Sequence, residues 1–580
     1  MTDPAEPNAK TSDLATLVGR SKLPAELARA PGMKKLDWIL GQPDPEAFVR
    51  ALAPQELYYW MRDIGKGDSG ALLELADREQ KRALVDIDAW SRHELELPRW
   101  LDWLDLAQSA SDDTALDFVA AQDDETLEWL FSGDVQVYAA DADLDAVPDE
   151  LAAFRSPDGA YLVTVPREHE LEDRLPRLMK LLWAADEDRA RLIFQQLQFD
   201  LRANITEDME RFRNARVQDM GFEPMTDALE VWATVPVAAL RDAARRGAPP
   251  TSEDAVWRGP PDQTGLVHDL VLTGIAAPDL LARALAGLAP DDRVRAGEGL
   301  AYLVNKVFVA ETGDLSRLDD LPIIGRHAAA LVNLGLEHLA DEDEERATHL
   351  LATTPAEVLF RAGHTLTLEV GKRARAVRTR TGAARGLALF GTPVDEALHG
   401  ASLLHPLYFE GLDEPGALGH RAFATLADLA KVEVRVADAQ AVTGFFEARF
   451  GFTPAALEGL AATVGGDQLA RVRFTTLLRT AMAWTLLKDE AAFAPLGRDE
   501  LAAFARAAFE RTPGGGVRLA PPLARLVDDV GQAAGSEPGS EAIRAFVDRA
   551  LGELLDAIGG VAPADVDPRF TADLFLVSGD

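Results

Sequence analysis

The strongest constraint on this chain is a recurrence of helix starts in its first quarter. Pro31, Pro54, Asp77, Pro98 and Asp124 each open a segment that places apolar residues three and four positions apart. Leu36, Ile39 and Leu40 do this in the first segment, Leu57, Trp60 and Met61 in the second, and Leu127, Leu130 and Phe131 in the last. Successive anchors lie 23, 23, 21 and 26 residues apart. Proline in a first turn and aspartate as a cap are both helix-start signals. The three-and-four spacing is one face of a helix. A unit this short cannot bury its apolar face alone, so neighbouring units are expected to stack into an α-superhelix over residues 31–134.

The rest of the chain is read from the same signals. Residues 1–30 are a polar tail and a first helix. Residues 135–167 form a small β element: Val135-Gln136-Val137-Tyr138 alternates, Pro157-Asp158-Gly159 is a turn, and Ala160-Tyr161-Leu162-Val163-Thr164-Val165 is a strand. A helical segment spans 168–246. The proline- and glycine-rich stretch 247–262 is a linker, and 263–580 is a larger C-terminal helical domain. Within it, Pro355, Pro454 and Asp499 are helix starts, and a long helix from Pro355 ends near Gly382. The strict alternation of Val432-Glu433-Val434-Arg435-Val436 suggests one isolated strand. The apolar tail Leu574-Phe575-Leu576-Val577 is expected to dock. The fold class is therefore mainly α, with N-terminal superhelical repeats, a small β element and a C-terminal helical domain.

Two repeat starts carry a resemblance. Ala53-Pro54-Gln55-Glu56-Leu57 and Ala76-Asp77-Arg78-Glu79-Gln80 resemble the repeat starts in the cytosolic N domain of bacterial magnesium transporters. The likeness covers roughly residues 30–135. It implies an acidic α-superhelix and, as in the parent proteins, binding of divalent cations. The transporter's membrane helices have no equivalent here, so transport is not implied. The layout of the whole chain resembles a family of large bacterial proteins known only as a domain of unknown function, which implies no activity.

Charge narrows the partners. The 96 acidic residues outnumber 59 basic ones, for a formal net charge of −37. Such a surface repels phosphate backbones and anionic membranes, so no nucleic acid is expected as a partner. Solubility accounts for the acidity most simply, with a basic partner or divalent cations as the sharper readings. There are no cysteines, which removes disulfides, thiolate nucleophiles and Cys-ligated metal centres together. No secretory signal and no run of ~18 apolar residues occurs, so no membrane span is expected and the compartment is read as cytoplasmic.

Catalytic motifs are sparse. Gly65-Lys66-Gly67-Asp68-Ser69-Gly70 spells the dinucleotide-binding pattern, but a helical segment precedes it where a strand is needed, so it reads as a helix-to-helix turn and no cofactor is assigned. Asp141-Ala142-Asp143-Leu144-Asp145 begins like a calcium loop, yet Ala146 and Ala152 stand where glycine and glutamate belong, which leaves a solvated acidic loop. Neither His93-Glu94 nor His169-Glu170 is followed by the second histidine of a zinc-protease helix, and no metal site is assigned. The acidic run Asp341-Glu342-Asp343-Glu344-Glu345 reads as a solvated helix start. Glu210-Arg211-Phe212-Arg213-Asn214-Ala215-Arg216 is an Arg-rich turn expected to pair internally with Glu207, Glu210 and Asp219.

Eight of the ten histidines lie between His268 and His420. Along a continuous helix His338 and His349 would share a face yet stand about 16 Å apart, too far to share a metal ion. An enzymatic site would have to gather His338, His349, His364, His399 or His405 by long-range folding. The basic stretch that includes Lys372, Arg373, Arg375, Arg378 and Arg380 interrupts the acidic background. Its plain explanation is a cationic helix C-terminus paired with acidic neighbours. Its functional one is a docking patch for an anion or an acidic partner segment.

These readings favour a cytoplasmic helical-repeat interaction or scaffold protein with an unidentified protein partner, more readily than an enzyme. A divalent-cation-responsive regulator and an enzyme with a site in the His-rich C-terminal half are the alternatives. No catalytic residue is assigned.

Overall fold

The computed structural model describes residues 31–139, 147–198, 202–247, 272, 275–383, 386–456, 464, 466–512, 516–533 and 539–578. The tail and first helix assigned to 1–30, the calcium-like stretch 141–145, most of the 247–262 linker, and residues 513–515 and 534–538 lie outside the described residues. The protein is mainly α, with a few small sheets. It divides into two compact units, Met1–Ala362 and Gly363–Asp580, and the division falls inside the helix Ala356–Thr381.

In the first unit each of the five sequence anchors opens a helix: Gly32–Leu40, Pro54–Ile64, Arg78–Asp88, Leu97–Ala110 and Asp124–Leu130. The starts have local causes. Asp77 accepts from the backbone N–H of Gln80 while the Gln80 side chain returns a bond to the Asp77 N–H, a reciprocal capping box. Proline occupies the first turn of Pro54–Ile64 and Leu97–Ala110, where its missing N–H costs nothing. Further helices, Pro45–Arg50, Gly70–Leu75 and Asp112–Ala121, intervene. The glycine-rich 65–70 stretch is the turn expected between helices, closed by a 3-10 turn at Lys66–Asp68. Trp90, Trp100 and Trp103 are fully buried among these helices.

The β element has three strands rather than two. Tyr161–Pro166 lies between Gln136–Ala139 and Leu151–Arg155, antiparallel to both, with Val137 and Phe154 opposite Val163. The strand Leu151–Arg155 has no alternating apolar pattern to announce it; pairing with its buried neighbour sets its conformation. The Pro157-Asp158-Gly159 turn joins these two strands. Gly159 takes the left-handed backbone (φ 73°), and Asp158 accepts from the Ala160 N–H and the Ser156 hydroxyl.

The second unit is built around the helix Leu426–Phe450. This helix overturns the strand expected at 432–436. Val432 and Val436 are buried one turn apart, while Val434 points outward, so the alternation served two helical faces. The helix starts in a Thr425–Asp428 capping box and ends at left-handed Gly451. Phe446 is fully buried and stacks with Phe474 at 4.4 Å, Phe450 at 5.4 Å and Phe546 at 6.0 Å. Trp484 packs in the same core, donating its indole N–H to the Ala494 carbonyl at 2.7 Å with the Lys488 ammonium over its ring. The apolar tail docks as expected: Leu576 N–H donates to the Thr480 hydroxyl, and Val577 bridges to Leu496.

Candidate functional site

The feature of the first unit that burial alone does not explain is a cluster of charges around the C-terminal part of the helix Arg78–Asp88, which is buried on every side from Ala83 onward. Asp86 and Asp88 both lie inside, 3% and 6% exposed. Charges are left inside proteins only when paired and hydrogen-bonded. Arg216, on the helix Arg202–Asp219, grips the Asp86 carboxylate with Nε at 2.7 Å and Nη2 at 2.9 Å, and reaches Asp123 with Nη1 at 2.5 Å. Arg82 donates to the Ala121 carbonyl and pairs with the same Asp123 at 3.2 Å. Arg213 takes a different partner, the Asp86 backbone carbonyl, at 3.1 and 3.0 Å, with its guanidinium over the Trp90 ring. Burial pushes Arg213 down to about 10 and Asp86 upward, the latter opposed by Arg216. Asp88 gathers the Tyr58 hydroxyl at 2.5 Å, the Trp103 indole at 2.9 Å and the Lys66 ammonium at 2.8 Å.

Two cavities flank this ionic cluster. The larger, about 310 Å³, is lined by Ala53, Pro54, Gln55, Glu79, Arg82, Ala83, Asp86, Arg216, Asp219 and Met220. Gln55 is 4% exposed. Its amide nitrogen donates to the Met220 carbonyl at 3.0 Å, which fixes the orientation of the amide, because the flipped form would set oxygen against oxygen. The Gln55 Oε1 so oriented is buried and accepts no hydrogen bond. The smaller cavity, about 120 Å³, includes Arg92, His93, Glu210, Arg213 and Asn214. There His93 Nδ1 meets Glu210 at 2.6 Å, and Arg92 holds a left-handed backbone (φ 54°) with its N–H on the Gly313 carbonyl.

The Arg-rich turn at 210–216 therefore does not pair as its sequence suggested. Arg211 does bond Asp208 on its own helix, but Arg216 reaches Asp86, 130 residues away, and Glu210 reaches His93. The sequence held one signal for this: Asp88 falls on the same helix face as Leu84, whereas Asp86, two positions away and on the opposite side, carried none. Gln55 carried no signal at all.

The basic stretch lies on the helix Ala356–Thr381, which ends where expected. Arg373 pairs with Glu433 at 2.5 Å, and Arg380 forms a two-pronged pair with Glu447. Arg375 donates to the Ser402 and Leu403 carbonyls, both at 3.2 Å, at the end of the helix Val394–Ser402. Arg378 faces Asp395 and His399, and Lys372 is exposed with no ion pair among the described residues. Burial raises the Asp395 carboxyl despite the Gly391 and Phe390 N–H groups on it.

The histidines do not converge. His338 and His349 stand on separate helices, Leu321–Ala340 and Glu344–Thr353, with the acidic run between them. Both belong to the first unit, whereas His364, His399 and His405 belong to the second. His364 and His405 lie ring to ring at 5.8 Å, and His399 and His420 at 6.1 Å. Among the described residues no group of three or more His, Asp or Glu is arranged to hold a metal ion.

The acidic run divides between those helices: Asp343 caps the second and Glu344 and Glu345 lie in its first turn, the helix start expected, while Asp341 caps the C-terminus of Leu321–Ala340, where the helix dipole opposes a negative charge. Asp341 is held there by Arg241, Arg245 and Arg346, which keep its carboxyl well below the usual carboxylate range. Asp341 has φ 53°, a conformation asparagine also tolerates, so Asp341→Asn removes the charge alone. The arginines are partly exposed, and solvent screening holds the expected loss to about 1–2 kcal/mol. The depressed pKa means this stability is complete above about pH 4 and is lost as pH falls through the folded value. Urea titrations should show the Asn variant weaker at pH 7 and converging with the parent below pH 3. A pH-independent difference would show that the charge is not the cause.

Fold and site together define a mainly α-helical protein with an open cavity beside a buried, internally paired ionic cluster. No helix among the described residues is long and apolar enough to cross a membrane. The chain belongs to the DUF6178 family of unknown function, whose model matches residues 12–577. No curated protein and no solved structure matches it, and the likeness to the magnesium-transporter N domain finds no counterpart among these comparisons.

Proposed function

We propose that this protein is a cytoplasmic interaction protein that docks a basic segment of a protein partner on its first unit, over the 310 Å³ cavity. The observation that carries this reading is the cavity rim, where Glu79 and Asp219 are exposed and form no ion pair among the described residues, while the cations of the cavity, Arg82 and Arg216, are already engaged. The net charge of −37 would steer a basic partner toward such a rim. Stacked helices over residues 31–134 would supply the extended face around it.

Reversing both rim charges, Glu79→Lys with Asp219→Lys, tests the reading. Partners captured by the parent protein at low salt should be lost by the variant at unchanged melting temperature. Raising the salt should release them from the parent. Recovery of the same partners by both proteins at equal yield would end the proposal.

A further inference from the structure

We propose that the smaller cavity of the first unit is a binding site for a short aliphatic carboxylate. Three observations on its lining carry this.

The first is a buried cation without a counter-charge. Arg213 is 7% exposed and forms no ion pair among the described residues. The carboxylates that act on it electrostatically are Asp86, Glu210 and Asp314, and each is held by another group: Asp86 by Arg216 at 2.7 Å, Glu210 by His93 at 2.6 Å and Asp314 by Arg99 at 3.3 Å. Buried charges are ordinarily paired. Nε and Nη2 of Arg213 are committed to the Asp86 carbonyl. The third nitrogen, Nη1, has the Asn214 Oδ1 at 3.4 Å, beyond the usual length of such a bond. Arg213 and Asn214 both line the cavity, so an oxyanion admitted between them meets a donor that the fold leaves under-used.

The second is the balance of charge around the cavity. Arg92 also lines it, is exposed and forms no ion pair among the described residues. Its stem runs over Gly313, where a Cβ would stand 3.3 Å from Arg92 Cγ and from Met225 Sδ. The two acidic residues of the lining are both engaged: Glu210 by His93, and Glu223 by the Tyr302 hydroxyl and by the Lys306 ammonium at 3.1 Å. The charges left open are therefore Arg92 and Arg213, and both are positive.

The third is the wall and the size. Val217, Pro224, Met225, Val309 and Leu315 line the cavity beside the two arginines. An apolar cavity of about 150 Å³ holds a benzene ring, so one of about 120 Å³ suits a group of roughly four to six heavy atoms. A carboxylate on a short alkyl chain satisfies donor, charge and wall together. Phosphate would bring four oxygens and no apolar surface to a site with one inner donor and an apolar wall. A free acid and the C-terminus of a peptide ending in an aliphatic residue both present this chemistry.

Calorimetric titration of the full chain, at fixed ionic strength, with butyrate, butyramide, inorganic phosphate and acetyl-alanyl-valine tests the proposal. Butyrate should bind at least tenfold more tightly than its neutral amide or phosphate. Tighter binding of the capped dipeptide than of butyrate identifies a peptide C-terminus as the source; otherwise the free acid suffices. Asn214→Asp sets an internal carboxylate beside Arg213 Nη1 at nearly unchanged volume. It should raise the melting temperature of the unliganded protein and weaken butyrate at least tenfold, whereas a merely structural Asn214 would give neither. Arg92→Asn removes the second cation with a residue that tolerates the left-handed backbone there. It should weaken butyrate about fivefold at unchanged melting temperature. No binding of either carboxylate, equal binding of butyrate and butyramide, preference for phosphate, or full butyrate affinity in both variants would overturn the proposal.

Discussion

Asp86→Ala should lower the unfolding free energy by about 3–4 kcal/mol, near the range for breaking a buried ion pair from one side. The change leaves the Arg216 fork without its bidentate acceptor, with Asp123 as its remaining carboxylate. Arg213 is affected less, because its acceptor is the main-chain carbonyl at position 86, which alanine retains. Urea unfolding followed by circular dichroism measures the loss. Adding Arg216→Met to Asp86→Ala should restore at least half of it, since the methionine removes the stranded charge and keeps an apolar stem. A double-mutant cycle should then find coupling between positions 86 and 216 of more than about 1 kcal/mol. Additive losses would mean that the pair is not the unit of stability here.

Phe446→Ala should cost the second unit a similar amount, about 3–5 kcal/mol, by deleting the ring at the centre of its aromatic cluster. Phe446 is fully buried and meets Phe445, Phe450, Phe452, Phe474 and Phe546. The cavity left behind has neighbours on two further helices, Phe474–Lys488 and Ser540–Ile558, which cannot collapse into it without moving both. Phe570→Ala is the natural comparison, because that ring is 83% exposed and its removal should change stability by less than about 0.5 kcal/mol. Equal effects of the two substitutions would show that the cluster is not the core of the unit.

The helices were legible because their causes are local. Asp77, Pro54 and Pro98 each act within a turn of where they stand, and the long helix ending at Thr381 stops one residue before Gly382. The 432–436 segment misled because valines at alternate positions satisfy a strand and, at four apart, a helix; long-range packing decided between them. The acidic run gave the helix start at Asp343–Glu345 but misled at Asp341, for a related reason. The sequence shows five carboxylates but not the three arginines, two of them about a hundred residues earlier, that draw Asp341 to the wrong end of a helix. The candidate site was almost invisible. Arg216 stands in an Arg-rich turn whose nearest carboxylates in sequence lie on its own helix, and Gln55 is an unremarkable residue in a first turn. What makes Gln55 matter is the Met220 carbonyl, which occupies its nitrogen and leaves its oxygen bare. That fact belongs to tertiary structure alone.

The placement of the indoles has a practical reach. Every tryptophan except Trp484 falls within Met1–Ala362, and Trp484 stands alone in Gly363–Asp580. Intrinsic emission of the whole chain therefore reports almost entirely on the first unit. Trp484→Phe would make the second unit dark, and the difference spectrum against the parent would isolate a single emitter beside the Lys488 ammonium. Each half of the molecule thus carries its own optical reporter, and ligand binding or melting can be assigned to a unit without attaching a dye.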